Sequence, residues 1–224
     1  MIREFSVSEL WFLILAVRWT VLLAATAFIG GGTVGLVIAV LRISTVRWAR
    51  ASAIFYIKVL QGTPLLMQLY LVYFGSNLIG IRADAWVSAA LGLTLYTSAF
   101  LGEIWRGCIQ ALPRAQWEGA RALALSRMQQ LRLVILPQAL RIAIAPTVGF
   151  LVQVLKGTSL ASIIGFTELT RAAQMVNNAT FRPFIVYAVV AALYFALCWP
   201  LSLLSQRLER GLDRERLPAV KIPA

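Results

Sequence analysis

The sequence predicts an all-α integral membrane protein of five transmembrane helices with a cytoplasmic two-helix loop, and three observations carry that reading. Sixty per cent of the 224 residues are hydrophobic and only 13% are charged, far more apolar than a soluble domain of this size. The apolar residues fall into runs long enough to cross a ~30 Å hydrocarbon core at ~1.5 Å per residue. The basic residues behind the net charge of +12 sit in the gaps between those runs, with no aromatic-studded groove around them. The charge is therefore a topology signal, lipid is the expected surrounding, and no nucleic acid is expected as a partner.

Residues 1–18 read as a short external segment, because Arg3, Glu4, Glu9 and Arg18 break up an apolar piece too short to span. The small residues at 24–27 suit a cleavage site, but the apolar run continues to Leu41, so no cleaved leader is expected. The first span covers about 19–41. Within it Ala27, Gly31, Gly35 and Ala39 recur every fourth residue, either admitting another helix closely or reflecting glycines tolerated in an apolar helix. Arg42, Arg47, Arg50 and Lys58 follow with no acid among them. The second span, about 60–79, is broken near its start by Gly62 and Pro64. A turn at Gly80–Asp84 leads to the third, about 86–106.

Glu103 lies inside that third span, where a carboxylate is costly unless paired or wetted, and Arg106 is one helical turn away. The two form either a structural ion pair or part of a translocation path. The fourth span, about 142–165, is disturbed by Pro146 and Gly149 and interrupted at Lys156-Gly157-Thr158-Ser159-Leu160. Lys156 must find a carboxylate, backbone carbonyls or water: with Thr158 and Ser159 it lines a path, or else it snorkels or closes an internal ion pair. After a segment of mixed charge containing Glu168, Arg171 and Arg182 comes the fifth span, about 184–204, with Pro200 as a bend, and then a basic tail, 209–224. The gaps on one side hold four, six and five basic residues, fifteen against five on the other. That bias places the amino end outside and the carboxyl end in the cytoplasm.

The loop at 107–141 is the most polar stretch between spans. Pro113 opens a short helix with Trp117, Ala120 and Ala124 on one face, and Ser126 with Gln129 fits a capping box that starts a second. Met128, Leu131 and Ile135 are the apolar positions of the second helix, Arg127, Gln130 and Arg132 point elsewhere, and Pro137 marks a change of direction. Six arginines stand in and beside the loop against the single acid Glu118.

Glu118-Gly119-Ala120, Ala124, Val134 and Leu136-Pro137 have the spacing of the cytoplasmic loop of bacterial ATP-binding cassette importer permeases: Glu-Ala-Ala, three residues, Gly, nine residues, Ile, one residue, Leu-Pro. The chain resembles that family from about 19 to 208, with Gly119, Ala124 and Val134 departing from the pattern. Gln61-Gly62-Thr63-Pro64-Leu65, Glu103-Ile104-Trp105-Arg106-Gly107 and Lys156-Gly157-Thr158-Ser159-Leu160 are similar to stretches of its polar-amino-acid branch. Gln61 there replaces an arginine, and Gly157 an aspartate. The resemblance implies a type I importer permease-like fold in the bacterial cytoplasmic membrane. It implies that Trp117, Glu118, Gly119, Ala120, Arg121, Leu123, Ala124, Ser126, Leu136 and Pro137 belong to an ATPase-coupling loop. It also implies an ATPase dimer carrying ATP and magnesium, a second permease subunit and a soluble extracytoplasmic substrate-binding protein as partners.

Nothing in the sequence marks an enzyme. Histidine is absent, Cys108 and Cys198 form no metal or redox pattern, and no nucleophile triad or phosphate loop occurs. No cofactor or metal is expected in this chain. The alternative reading, a self-sufficient channel or ion-driven carrier, requires several intramembrane carboxylates or a filter-like loop, and the spans offer only Glu103 and Lys156.

Overall fold

The computed structural model describes residues 4–216, and among them every regular element is helical. Arg3 and residues 217–224 of the basic tail lie outside the described residues. In chain order the helices are α1 (Val7–Ile43), α2 (Arg47–Gln61), α3 (Leu65–Leu78), α4 (Ala85–Gln110), α5 (Arg114–Ala122), α6 (Arg127–Gln129), α7 (Leu136–Gly157), α8 (Leu169–Thr180) and α9 (Pro183–Arg216). A π-helical turn, Gln130–Ile135, joins α6 to α7, and a 3₁₀ helix, Thr158–Ile164, extends α7 to the left-handed Gly165.

Among the described residues, four helical stretches are long and apolar enough to cross a bilayer: Val7–Ile43, Ala85–Gln110, Arg127–Ile164 and Pro183–Leu212. The expected second span is split. Its apolar part, α3, has 14 residues, about 21 Å at 1.5 Å per residue. The break at Gly62–Pro64 is held by Gln68, whose buried amide donates to the Leu60 and Thr63 carbonyls at 2.7 and 3.1 Å. Carbonyls freed by the break are thereby satisfied without water.

The start of the first span is corrected. Residues 7–18, read as a segment separate from the first span, are the opening turns of α1 and continuous with it. Glu9, which broke the apolar run, serves as the third residue of a capping box and accepts the Ser6 N–H at 3.0 Å. Leu13 and Ala16 on the same turns pack on Leu169, Ala172 and Val176 of α8.

The centre of the molecule is the α1/α4 pair. Ala27, Gly31, Gly35 and Ala39 are all buried, as the small-residue stripe predicts. A Cβ on Gly31 would stand 2.5 Å from Cβ of Thr97, and one on Gly35 3.0 Å from the Ser98 carbonyl oxygen. The glycines leave room for Thr97 and for the α4 backbone at Ser98 to sit directly against α1. Around this pair Leu23, Leu69, Leu93, Leu101, Phe150 and Val154 form the main core, uniting α1, α3, α4 and α7.

The fourth span also differs. Pro137 does not turn the chain: helix continues from Arg127 through Ile164. A proline ring in an α-helix clashes with the carbonyl four residues back, and the widened π turn before it, where Leu136 N–H bonds the Leu131 carbonyl, makes room. Pro146 likewise lies inside α7, and Pro200 inside α9, which runs on to Arg216.

Candidate functional site

Two groups of predicted site residues occupy different parts of the bundle. The first is the segment from Leu112 to Pro137. Pro113 stands at the N-cap of α5, and Ala120, three per cent exposed, with Trp117 faces inward. Trp117 packs in a cluster with Ile109, Leu112, Ile135 and Ala139, so it anchors the segment to α4 and α7 and is not part of the exposed outer face. Gln138 adds a bond to Gln116 at 3.1 Å. The outward face carries Arg114, Glu118, Gly119, Arg121 and Leu123, the last 75% exposed.

The turn between α5 and α6 is built from Ala124 at φ 55°, a left-handed residue. Glycine tolerates that conformation and alanine resists it, but the turn forms here nonetheless, closed by Ala124 N–H to the Arg121 carbonyl at 2.9 Å. Ala124 is thus beyond the end of α5, not on its face. Ser126 and Gln129 make the expected capping box, with Ser126 N–H donating to Gln129 at 2.9 Å. Two positions of the second helix exchange roles. Gln130 is buried and donates to the Leu125 carbonyl at 2.7 Å, while Met128 is exposed. A carbonyl left over by the turn draws in the nearest long amide, a requirement that hydrophobic periodicity does not register. Leu136 and Pro137 begin α7 at the base of the segment.

Glu103 and Arg106 meet as predicted, in a close ion pair along α4. A third member comes from α1: Arg42 Nε lies 3.4 Å from the other Glu103 oxygen. Arg106 also bonds Gln110. The cluster ties the ends of α1 and α4, next to the segment's anchor, and supports the structural reading of this pair. Trp105 extends the tie to α7 through a 2.9 Å bond to Thr147.

The second group lies away from the first. Thr158 and Ser159 donate their hydroxyls back to the Leu155 and Lys156 carbonyls, both at 2.7 Å, within the 3₁₀ turn. Lys156 is exposed and lines a cavity of about 280 Å³ between α7 and α9. Behind that cavity is a residue sequence reading left in a mixed-charge loop. Glu168 is fully buried, caps α8 by accepting Thr170 and Arg171 N–H at 2.9 and 2.8 Å, and accepts the Tyr194 hydroxyl at 2.9 Å. Burial pushes its carboxyl above the ordinary range, against the hydrogen bonds that favour the anion. An acid directly before a helical run was the available signal for the cap. Its burial depends on α9 and was not legible locally.

Residues 31–214 match the family described as "Binding-protein-dependent transport system inner membrane component". The chain is 33% identical over 195 residues to the probable amino-acid ABC transporter permease protein YckA of Bacillus subtilis (strain 168), covering 87% of this chain and 86% of that one. It is 34% identical to the L-cystine transport system permease protein TcyB of the same organism, covering 88% and 85%. Among solved structures, it resembles the "amino acid ABC transporter with histidines" with a TM-score of 0.86 at 34% identity, over 89% of this chain and 94% of that one. The fold also matches an inward-facing MetNI methionine ABC transporter chain, TM-score 0.75 at 19% identity, over 92% and 99%.

Proposed function

We infer the function from one premise: the chain belongs to the binding-protein-dependent transport system inner membrane component family. It is the permease component of an amino acid importer of the ATP-binding cassette type, a multi-pass membrane subunit working with a separate ATPase. Beyond that, we propose that α1, α3 with the turn before it, α4, α7 and α9 make five crossings. The amino end lies outside and the carboxyl end in the cytoplasm, in keeping with the arginine bias between helices. ATP and magnesium bind the ATPase dimer, a second permease subunit completes the pore, and a soluble binding protein delivers a polar amino acid from outside.

One observation carries the coupling role. The segment from Leu112 to Pro137 has an inner face locked to α4 and α7 through Trp117, Ala120 and Ile135, and an outer face of Glu118, Arg121 and Leu123 with nothing upon it among the described residues. A rigid lever needs both properties: a grip on the bundle and a free contact surface. Leu123 offers an apolar contact within a basic rim, and Glu118 supplies the opposite sign that fixes register. Nucleotide-driven closure of the ATPases moves this surface, and α4 and α7 carry the motion into alternating access. The cluster of Arg42, Glu103 and Arg106 keeps α1 and α4 moving together.

The test is reconstitution of the chain with its ATPase and binding protein in proteoliposomes, followed by ATP-dependent uptake of labelled amino acids. Glu118→Lys is expected to leave insertion intact and to reduce coupled uptake at least about tenfold, the scale of a charged interface contact turned repulsive. Normal uptake by that variant contradicts the coupling role.

A further inference from the structure

Helix α2 makes no crossing in the arrangement above, and its course keeps it near one surface. Ala53 and Ile57, in its second and third turns, still pack on Ile38 and Leu41 in the last two turns of α1. At its end the Gln61 amide donates to the Ala99 carbonyl at 3.4 Å, one turn along α4 from Glu103, the partner of Arg42 at the end of α1. Those two positions on α4 are about 6 Å apart, whereas a helix of 15 residues is about 22 Å long. Helix α2 therefore lies closer to the plane of the membrane than to its normal.

Around its axis the four sides differ. Ala53 and Ile57 hold the bundle, and on the side facing away from it Trp48, Phe55 and Val59 fall within about 40° of one another. Trp48 is 86% exposed and Phe55 72%. Tyr56 points inward along the bundle and shares a 2.6 Å hydrogen bond with the Ser98 hydroxyl. Opposite Tyr56, away from the bilayer centre, stand Arg47, Arg50 and Lys58, all exposed. No acid occurs in the sequence between Glu9 and Asp84, and among the described residues none of these three cations forms an ion pair.

This cross-section fits the boundary of a leaflet. The outward apolar side suits acyl chains, the indole of Trp48 suits the headgroup level, and the cationic edge meets anions at the depth of the phosphates. The same face of a second copy brings the same three charges, so a self-complementary contact here is repulsive. We propose that α2 is a binding site for anionic phospholipid of the cytoplasmic leaflet: Arg47, Arg50 and Lys58 hold the phosphate, and acyl chains lie against Trp48 and Phe55. Helix α2 leads through Gly62–Pro64 into α3, with Gln68 bracing the break. A headgroup held on α2 thus fixes the inner end of that crossing.

The site rests on the orientation proposed above, which puts α2 at the cytoplasmic surface, and the experiment separates the two. The permease is reconstituted with its ATPase in phosphatidylcholine vesicles. Electron spin resonance with trace spin-labelled lipid then compares phosphatidylglycerol with phosphatidylcholine in the motionally restricted shell. The wild type is expected to favour phosphatidylglycerol at least about threefold. High salt and the triple variant Arg47→Gln, Arg50→Gln, Lys58→Gln are expected to abolish that preference, and the charge-preserving variant Arg47→Lys, Arg50→Lys, Lys58→Arg to retain it. Gel filtration with the ATPase confirms that each variant assembles. A nitroxide on Ala51→Cys, between the two stripes, reads the surroundings of α2, since Cys108 and Cys198 are buried. It is expected to collide with oxygen dissolved in lipid more than with a water-soluble nickel chelate. Equal preference for the two lipids in the wild type, an unchanged preference in the glutamine variant, or a label shielded from oxygen and nickel alike, as a protein partner on α2 would leave it, overturns the site and leaves the permease assignment intact. In right-side-out vesicles the label should resist ascorbate added outside; its rapid reduction there overturns the orientation, and the site with it.

Discussion

At the scale of single residues, caps and ion pairs fix the helix ends around the segment from Leu112 to Pro137. The Ser126–Gln129 box and the Glu103–Arg106 pair lie within one helical turn of sequence and formed as read. Arg42 joins Glu103 from 61 residues away, and only packing of α1 on α4 reveals it. Ala124 combines both: the pattern locates a turn, and the structure shows alanine held at φ 55°. Ala124→Gly should therefore raise stability by about 1 kcal/mol, the usual cost of a left-handed alanine, read as a higher unfolding midpoint in detergent. A lower midpoint would show the turn to be unstrained. Glu168 yields a pH dependence. Its native carboxyl is held above its unfolded value by burial, so the folded state keeps a proton that the unfolded state gives up. Its contribution is greatest below about pH 4, falls as pH rises through the window up to the raised native value, and is constant beyond. Unfolding midpoints across that range should decline more in the wild type than in Glu168→Gln; parallel profiles would remove Glu168 from the pH response.

At the scale of elements, hydropathy located the apolar runs but misjudged their ends, because helices are extended by residues that hydropathy penalises. Glu9 caps α1 instead of ending a loop, and Pro137 is accommodated by a π turn instead of redirecting the chain. Gln68 likewise reads as an isolated polar residue until the broken carbonyls beside it are seen. The stripe on α1 was legible as a period, and the structure chose between its two readings by placing Thr97 and Ser98 against it. That choice has a paired test. Gly31→Ala puts a methyl 2.5 Å from Thr97 Cβ and should cost about 1–3 kcal/mol of stability, whereas Gly32→Ala meets nothing nearer than 3.8 Å and should be close to neutral. Equal midpoints for the two variants would mean that α1 and α4 are less intimately packed.

At the scale of the whole molecule, the chain is a helical permease component, and the proposal is that it is moved from one end through the segment anchored on α4 and α7. The family and the anchoring of that segment agree with this account. The direction in which Trp117 points was not legible from its period alone, because apolar groups stand on both sides of the segment, Trp117 and Ala120 on one and Leu123, just past the end of α5, on the other. Burial by α4 and α7 decides between them. The most direct measurement is cysteine cross-linking at Leu123, the exposed apolar contact, since Cys108 and Cys198 are both buried. With Leu123→Cys in the assembled complex, inside-out vesicles should give a cross-link to the ATPase whose yield changes when ATP is added. Labelling of that cysteine from the outer face, or a cross-link indifferent to nucleotide, would contradict the account.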